Sequence, residues 1–321
     1  MRAIHVREFG GPEVLKPVEV PDPVPGAGEL VVDLAVADVI YLDTLLRAGW
    51  GGDYFPLDLP YVPGGGGAGV VSAVGAGVDP SWTGRRVVAR SSTGYAERIV
   101  AAAREVVEIP DGLGFREAAA LLHDGVTALL LARDGAIRKG EWVLVSAAAG
   151  GAGSLLVQLA RDAGARVVAA ARGEKKLALA RGLGAEVVVD YSAEGWQQRV
   201  REATGGVDLV FDGAGGPLGL AAFESAAEGG RFITYGTSGG DFTTIDPELA
   251  ERRRVHVHNS LEAGPPEQAE VREVLAQALD LAVKGVITPR IGATFPLDRA
   301  ADAHTSLAER ATVGKSLLLV T

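Results

Sequence analysis

The chain has 321 residues, 47% of them hydrophobic and 22% charged, a balance that describes a globular protein with a substantial core and excludes a disordered tail or a fibre. Its formal net charge of −10, from 41 acidic against 31 basic residues, argues against general electrostatic binding to nucleic acid or an anionic membrane. There is no cysteine, which excludes disulfides, a thiolate nucleophile and cysteine-bound metal. No apolar run reaches the length of a membrane span, and the opening MRAIHVREFGGPEV lacks the apolar stretch of a secretory signal, so a cytoplasmic location is expected.

The first third reads as a small, mainly β domain. Alternating runs such as ELVVDLAVADV, Glu29 to Val39, and GVVSAVGAGV, Gly69 to Val78, are divided by proline and glycine clusters. Between them VIYLDTLLRAGWGGDYFP, Val39 to Pro56, carries Tyr41, Asp43, Trp50 and Tyr54. The glycine-rich PGGGGAG, Pro63 to Gly69, is expected as a turn rather than a linker, because apolar strands flank it tightly. From about Phe115 the pattern changes to apolar helical segments and buried parallel strands. In LLHDGVTALL, His123 and Asp124 are neighbours on a helix and point in different directions, so His123 is expected to cap or pack.

The run WVLVSAAAGGAGSLLVQLARDAGARVVAAA, Trp142 to Ala171, is strand, glycine-rich turn, amphipathic helix and second strand without a break, the order of a nucleotide-binding βαβ unit. Gly150 and Gly153 fall at the second and third glycines of the G-x-G-x-x-G fingerprint, Ala148 stands at the first, and Gly151 adds freedom between them. A pyrophosphate would then sit on a helix N-terminus, whose free N–H groups and dipole favour anions; a tight turn without ligand is the alternative. No acid closes the second strand. Arg172, Gly173, Glu174, Lys175 and Lys176 follow Ala171 instead, so Arg172 and Lys176 are read as contacts to a 2′-phosphate, favouring NADPH over NADH, against the alternative of a solvated helix start.

Further buried strands follow at EVVVDY, ending at Tyr191, at VDLVFDGAG, Val207 to Gly215, and at GGRFITYG, Gly229 to Gly236. RRVHVHNS, Arg253 to Ser260, reads as an edge strand of the same sheet, an amphipathic helix runs from about Glu267 to Lys284, and KSLLLV, Lys315 to Val320, is expected to return to the first domain.

Taken in order, VPGGGGAGVVSAVGAGV, GYAERIV, AAALLHDGVTALLLA, VLVSAAAGGAGSLLVQLA, GAEVVVDYS, GVDLVFDGAGG and GGRFITYG resemble the medium-chain dehydrogenase/reductase superfamily, and within it the zinc-independent, zeta-crystallin-like quinone oxidoreductases. The resemblance implies an α/β fold in which a Rossmann doubly wound parallel sheet is inserted into a GroES-like mainly-β domain, with the active cleft between them. Residues 1–118 and 260–321 would form the GroES-like substrate domain and residues 119–259 the NADPH-binding domain.

By the same resemblance Tyr41 and Asp43 approach the nicotinamide and substrate, and Tyr54 lies where enoyl reductases of the superfamily place a donor tyrosine. Asp43 as a structural hydrogen-bond acceptor and Tyr54 as aromatic packing remain open. Relatives often have Asn where this chain has Ile40. Thr127 is placed near the nicotinamide, Tyr191 by the adenosine ribose phosphate, Gly213 and Ala214 under the nicotinamide ribose, and Gly236, Thr237 and Ser238 at its border; each of the last six is also a candidate strand-end turn. Lys315, in ERATVGKSLLLV, is expected to reach the cofactor phosphates, with a helix C-terminal cation as the alternative.

Zinc-dependent alcohol dehydrogenases carry Gly-His-Glu where this chain has Gly64, Gly65 and Gly66, and the five histidines are scattered, so no metal is expected. Without that Lewis acid an acceptor that spreads the incoming charge, a quinone or an alkene conjugated to a carbonyl, is the expected substrate. Three readings are carried forward: an NADPH-dependent quinone oxidoreductase, an enone or enoyl-thioester reductase, and an NADPH-binding redox sensor with little turnover. A homodimer paired through the Rossmann edge strand is expected.

Overall fold

The computed structural model describes residues 1–51, 55–260, 264 and 266–320. Tyr54 lies outside the described residues. The chain divides into two compact units, residues 1–126 with 267–321, and residues 127–266.

In the first unit β1 (Arg2–His5) and β2 (Lys16–Glu19) form an antiparallel pair. The long β3 (Glu29–Val39) leads into the short helix α1 (Tyr41–Arg47), and β4 (Gly66–Val74), β5 (Arg86–Arg90), β6 (Arg98–Ala102) and β7 (Val107–Glu108) follow. Helix α2 (Phe115–Leu121) packs on β3 and β4, which carries this unit past residue 118 to Val126, within the first turn of α3 (Asp124–Asp134). Inward-facing Ile4, Leu30, Val32, Val71, Val87, Tyr95 and Ile99 make the core.

The glycine run behaves differently from a turn. Gly66, Gly67, Ala68 and Gly69 belong to β4, pressed between β3 and β5. A Cβ at Gly67 would lie 2.2 Å from the Val36 carbonyl oxygen and one at Gly69 2.0 Å from that of Asp33, so the glycines permit a backbone approach that no side chain allows.

In the second unit β8 (Trp142–Ser146), α4 (Gly151–Asp162), β9 (Arg166–Ala171), α5 (Glu174–Gly182), β10 (Val187–Asp190), α6 (Trp196–Thr204), β11 (Val207–Asp212), α7 (Gly216–Glu224), β12 (Ala226–Thr234), α8 (Pro247–Arg253) and β13 (His256–Asn259) alternate. The six strands form one parallel sheet in the order β10-β9-β8-β11-β12-β13, the 3-2-1-4-5-6 order of a Rossmann sheet. The order reverses beside β8, the place at which such sheets bind ligands beyond their strand C-termini. Leu144, Val168, Val210, Phe223 and Phe232 fill its core.

Helix α9 (Gln268–Val283) returns to the first unit and packs on α2 and β7. After β14 (Ile291–Pro296) and α10 (Ala300–Ala308), the last strand β15 (Lys315–Leu319) pairs antiparallel with β3, completing a seven-stranded sheet that includes β6. The KSLLLV segment thus rejoins the first unit. Among the described residues no helix is long and apolar enough to cross a membrane.

Candidate functional site

The turn between β8 and α4 is built without side-chain caps. Gly150 precedes the helix in an extended conformation, and its N–H donates to the Ala147 carbonyl at 2.9 Å, while Ala147 takes φ of 51° to make the bend. A Cβ at Gly153 would lie 2.4 Å from that same Ala147 oxygen and 3.1 Å from the Ala148 Cα, so the helix can start this close to the turn only with glycine there. Ala148, at the first fingerprint position, is fully buried and donates its N–H to Ala170. The first-turn N–H groups of Gly151, Ala152 and Gly153 have no intrahelical acceptor and no capping side chain, which leaves an anion seat at the positive end of a twelve-residue helix.

Beyond β9, Arg172 is exposed and Lys176 half-buried. Gly173 takes φ of 80° before α5 and donates its N–H to Asp190 Oδ2 at 3.0 Å. Asp190, at the end of the neighbouring β10, also accepts from the Ser192 hydroxyl at 2.5 Å and backbone N–H at 2.9 Å, and the Ser192 hydrogen bonds hold its carboxyl below the ordinary range. The Tyr191 ring is buried edge-on against Trp196, and its backbone N–H donates to the Ala171 carbonyl at 3.3 Å.

The loops after β11 and β12 are knit together. Gly213 and Ala214 donate their N–H groups to Ser146 Oγ at 3.0 and 3.1 Å, Ser238 Oγ donates to the Gly213 carbonyl at 3.1 Å, and a Cβ at Gly236 would lie 2.4 Å from that carbonyl oxygen. Thr237, which is buried, belongs to the same loop. Beneath them sits Asp212, fully buried. Its carboxylate accepts from Ser146 Oγ, from the backbone N–H of Ala214 and Gly215, and from Thr243 Oγ1 at 2.5 Å. Sequence reasoning missed this hub; the signal was a polar residue at the C-terminal end of each of two largely apolar strands, Ser146 after VLV and Asp212 after LVF.

In the first unit Tyr41 is half-buried at the start of α1, while Asp43 is buried and given a structural task. Asp43 Oδ2 accepts the Ile40 N–H at 3.0 Å, capping α1, and the Tyr95 hydroxyl at 2.9 Å; that hydroxyl also lies 3.0 Å from His304 Nε2. Burial raises the Asp43 carboxyl to about 6 and, with the Arg47 guanidinium, lowers His304 to about 3.

Lys315 has a task of its own as well. Its ammonium is buried between Asp38 Oδ1 at 2.5 Å and Asp124 Oδ2 at 2.8 Å, and although burial pushes it down, the two carboxylates hold it above its ordinary value. Reaching a cofactor phosphate would break both pairs. Asp38 Oδ2 accepts from His123 Nδ1 at 2.6 Å, so His123 and Asp124, neighbours in sequence, join one network through different partners. Thr127, half-buried on α3, follows one turn after His123. Among the described residues no group of three His, Cys, Asp or Glu side chains could hold a metal ion, so the donors present do not fit zinc.

Residues 26–111 match the alcohol dehydrogenase GroES-like domain and residues 151–281 the zinc-binding dehydrogenase domain. The chain is 32% identical over 325 residues to a quinone oxidoreductase of Pseudomonas aeruginosa, covering 99% of both chains. It is 31% identical over 327 residues to a 2-haloacrylate reductase of a Burkholderia species, covering 99% of this chain and 98% of that one. The Escherichia coli quinone oxidoreductase, solved in complex with NADPH, superposes with a TM-score of 0.91 at 30% identity, covering 99% of this chain and 100% of that one. The mainly-β unit, the parallel sheet inserted within it and these full-length likenesses place the chain in the quinone oxidoreductase family of the medium-chain dehydrogenases/reductases.

Proposed function

We propose that this protein is an NADPH-dependent reductase that passes hydride to a quinone. The observation that carries the reading is the β8–α4 turn, where uncapped N–H groups and the absent side chain at Gly153 leave a cradle for a pyrophosphate. Gly150, Gly151 and the backbone at Ala148 would border that pyrophosphate. Gly213, Ala214, Gly236, Thr237 and Ser238 would border the nicotinamide ribose, with Thr127 beside the nicotinamide. NADPH, when bound, supplies the hydride. Arg172 and Lys176 would hold its 2′-phosphate, and Asp190, with both oxygens engaged by Gly173 and Ser192, has little left to offer a ribose hydroxyl. The likeness to quinone oxidoreductases of Pseudomonas and Escherichia coli supports a quinone as acceptor. The likeness to a 2-haloacrylate reductase supports a second reading, reduction of an alkene conjugated to a carbonyl. No step runs through zinc. A cytoplasmic location and a homodimer paired through β13 belong to the same proposal.

The test follows NADPH and NADH oxidation with benzoquinone, phenanthrenequinone and a crotonyl thioester, for wild type and Arg172→Ala. The expected outcome is quinone turnover with NADPH, and a KM for NADPH raised about tenfold in Arg172→Ala through the loss of one charge-assisted contact, with NADH little affected. Turnover of the thioester alone selects the second reading. Tight NADPH binding without turnover of any acceptor defeats both.

A further inference from the structure

Asp212 grips the loop between β12 and α8 at both ends. At its start the Asp212 backbone carbonyl accepts the N–H groups of Tyr235 and Gly236 at 2.9 and 3.3 Å, and at its far end Asp212 Oδ2 accepts the Thr243 hydroxyl at 2.5 Å. Between these anchors the loop leans on the turn after β11: Ser238 Oγ donates to the Gly213 carbonyl at 3.1 Å, and the Gly239 N–H donates to that of Ala214 at 2.5 Å. The other carboxylate oxygen, Oδ1, accepts from Ser146 Oγ and from the backbone of Ala214 and Gly215, so the two loops hang on opposite oxygens of one buried side chain. Helix α7 leaves room for the Thr243 contact. A Cβ at Gly219 would lie 1.7 Å from Thr243 Oγ1 and 2.2 Å from Asp212 Oδ2. Thr243 is itself buried, and besides it Oδ2 has only the Thr234 hydroxyl, at 3.4 Å, among the described residues. Removing the Thr243 hydroxyl would therefore untie the far end of the loop and leave a buried acceptor nearly unpaired.

We propose that Thr243 and Asp212 are positioning residues of the cofactor site: their hydrogen bond fixes the loop that carries Gly236, Thr237 and Ser238, and so sets the affinity for the nicotinamide half of NADPH. The proposal rests on the NADPH reading. Every group in it belongs to the second unit, which also carries the β8–α4 turn. Thr243 and Asp212 act through the loop backbone. A loop tied at both ends is already ordered before the ribose arrives, whereas an untied one must be ordered by the ligand at a cost in binding free energy. The adenosine half, held beyond β9, does not depend on that loop.

The test compares wild type with Thr243→Val, which keeps the shape and removes the hydroxyl, and Thr243→Ser, which restores it. Isothermal titration reads the dissociation constants of NADPH and of 2′,5′-ADP, which carries the adenosine half with its 2′-phosphate alone, and hydrogen exchange of the peptide from Tyr235 to Thr243 reads the loop. Thr243→Val is expected to raise the NADPH constant about tenfold, to leave that of 2′,5′-ADP within about twofold, and to speed exchange of the loop amides. Thr243→Ser is expected to stay within about threefold of wild type in each reading. Thr243→Ala, free of any misfit from the second valine methyl, is expected to repeat the Thr243→Val result. Equal weakening of both ligands, which a general loss of stability would give, overturns the proposal, as does NADPH binding that neither variant changes. If wild type binds neither NADPH nor 2′,5′-ADP, the NADPH reading falls and takes the proposal with it. If wild type binds both and the loss in Thr243→Val is not selective, the proposal alone falls.

Discussion

Asp43 and His304 meet through the Tyr95 hydroxyl, and burial moves their proton affinities in opposite directions. At about pH 5 the unfolded chain holds Asp43 ionised and His304 protonated, while the folded unit, with the two groups at about 6 and about 3, holds the reverse. Both states bind one proton, so between about pH 4 and 6 the pair adds no slope to stability. Removing one partner exposes the other. In His304→Gln the raised Asp43 carboxyl acts alone, and stability should fall as pH rises from about 4 to 6; in Asp43→Asn the lowered His304 acts alone, and stability should fall as pH drops below about 6.5. Each slope approaches about 1 kcal/mol per pH unit at most. Urea midpoints measured across that range check this, and slopes of the same sign in the two variants would sink it. The sequence left Asp43 open as a structural acceptor, but it did not show its partners. Tyr95 is 52 residues from Asp43 and 209 from His304, and residue type on a short helix does not reveal a hydrogen bond made across such separations. The ion pairs of Lys315 were hidden for the same reason, because its carboxylate partners stand on β3 and α3.

At the scale of elements, periodicity carried further, because a buried parallel strand must be apolar almost throughout and a strand–turn–helix unit needs glycine where backbones meet. β8, α4, β9, β11 and β12 are where the apolar runs put them, and β15 returns to pair with β3. The PGGGGAG stretch was illegible because glycine signals both a turn and a strand interior under close approach, and only the register of β4 against β3 tells them apart. Geometry separates the glycines of the cofactor domain in the same way. Gly153→Ala puts a methyl 2.4 Å from a backbone oxygen, and the helix must move; a loss of about 1–3 kcal/mol in stability and a clear weakening of NADPH binding are expected. Gly182, at the end of α5, has open space around it, so Gly182→Ala should stabilise by up to about 1 kcal/mol through a stiffer unfolded chain and leave NADPH binding alone. Thermal denaturation with and without NADPH measures both arms. Equal behaviour of the two variants would mean that the approach at Gly153 does not shape the site.

At the scale of the molecule, the parallel sheet of the second unit ends on one side at β13, which among the described residues pairs only with β12. Its outer edge presents a row of backbone donors and acceptors, and Val257, 40% exposed, stands at its centre. The homodimer proposed above would use this edge: a two-fold axis through a strand of four residues would pair each edge with the same edge of a second copy and close the assembly at two chains. Sedimentation velocity at micromolar concentration should therefore show a dimer. In the proposed dimer Val257→Asp would bring two carboxylates near the axis, and the like-charge contact should shift the protein to monomer while its NADPH dissociation constant stays within about twofold, because β13 is three strands away from β8 in the sheet. A wild-type monomer, or a Val257→Asp variant that stays dimeric, would move the interface away from β13. A monomer that also loses NADPH would show that the edge strand supports the cofactor loops beside it, through the pairing of Thr234 with Asn259 at the end of β12.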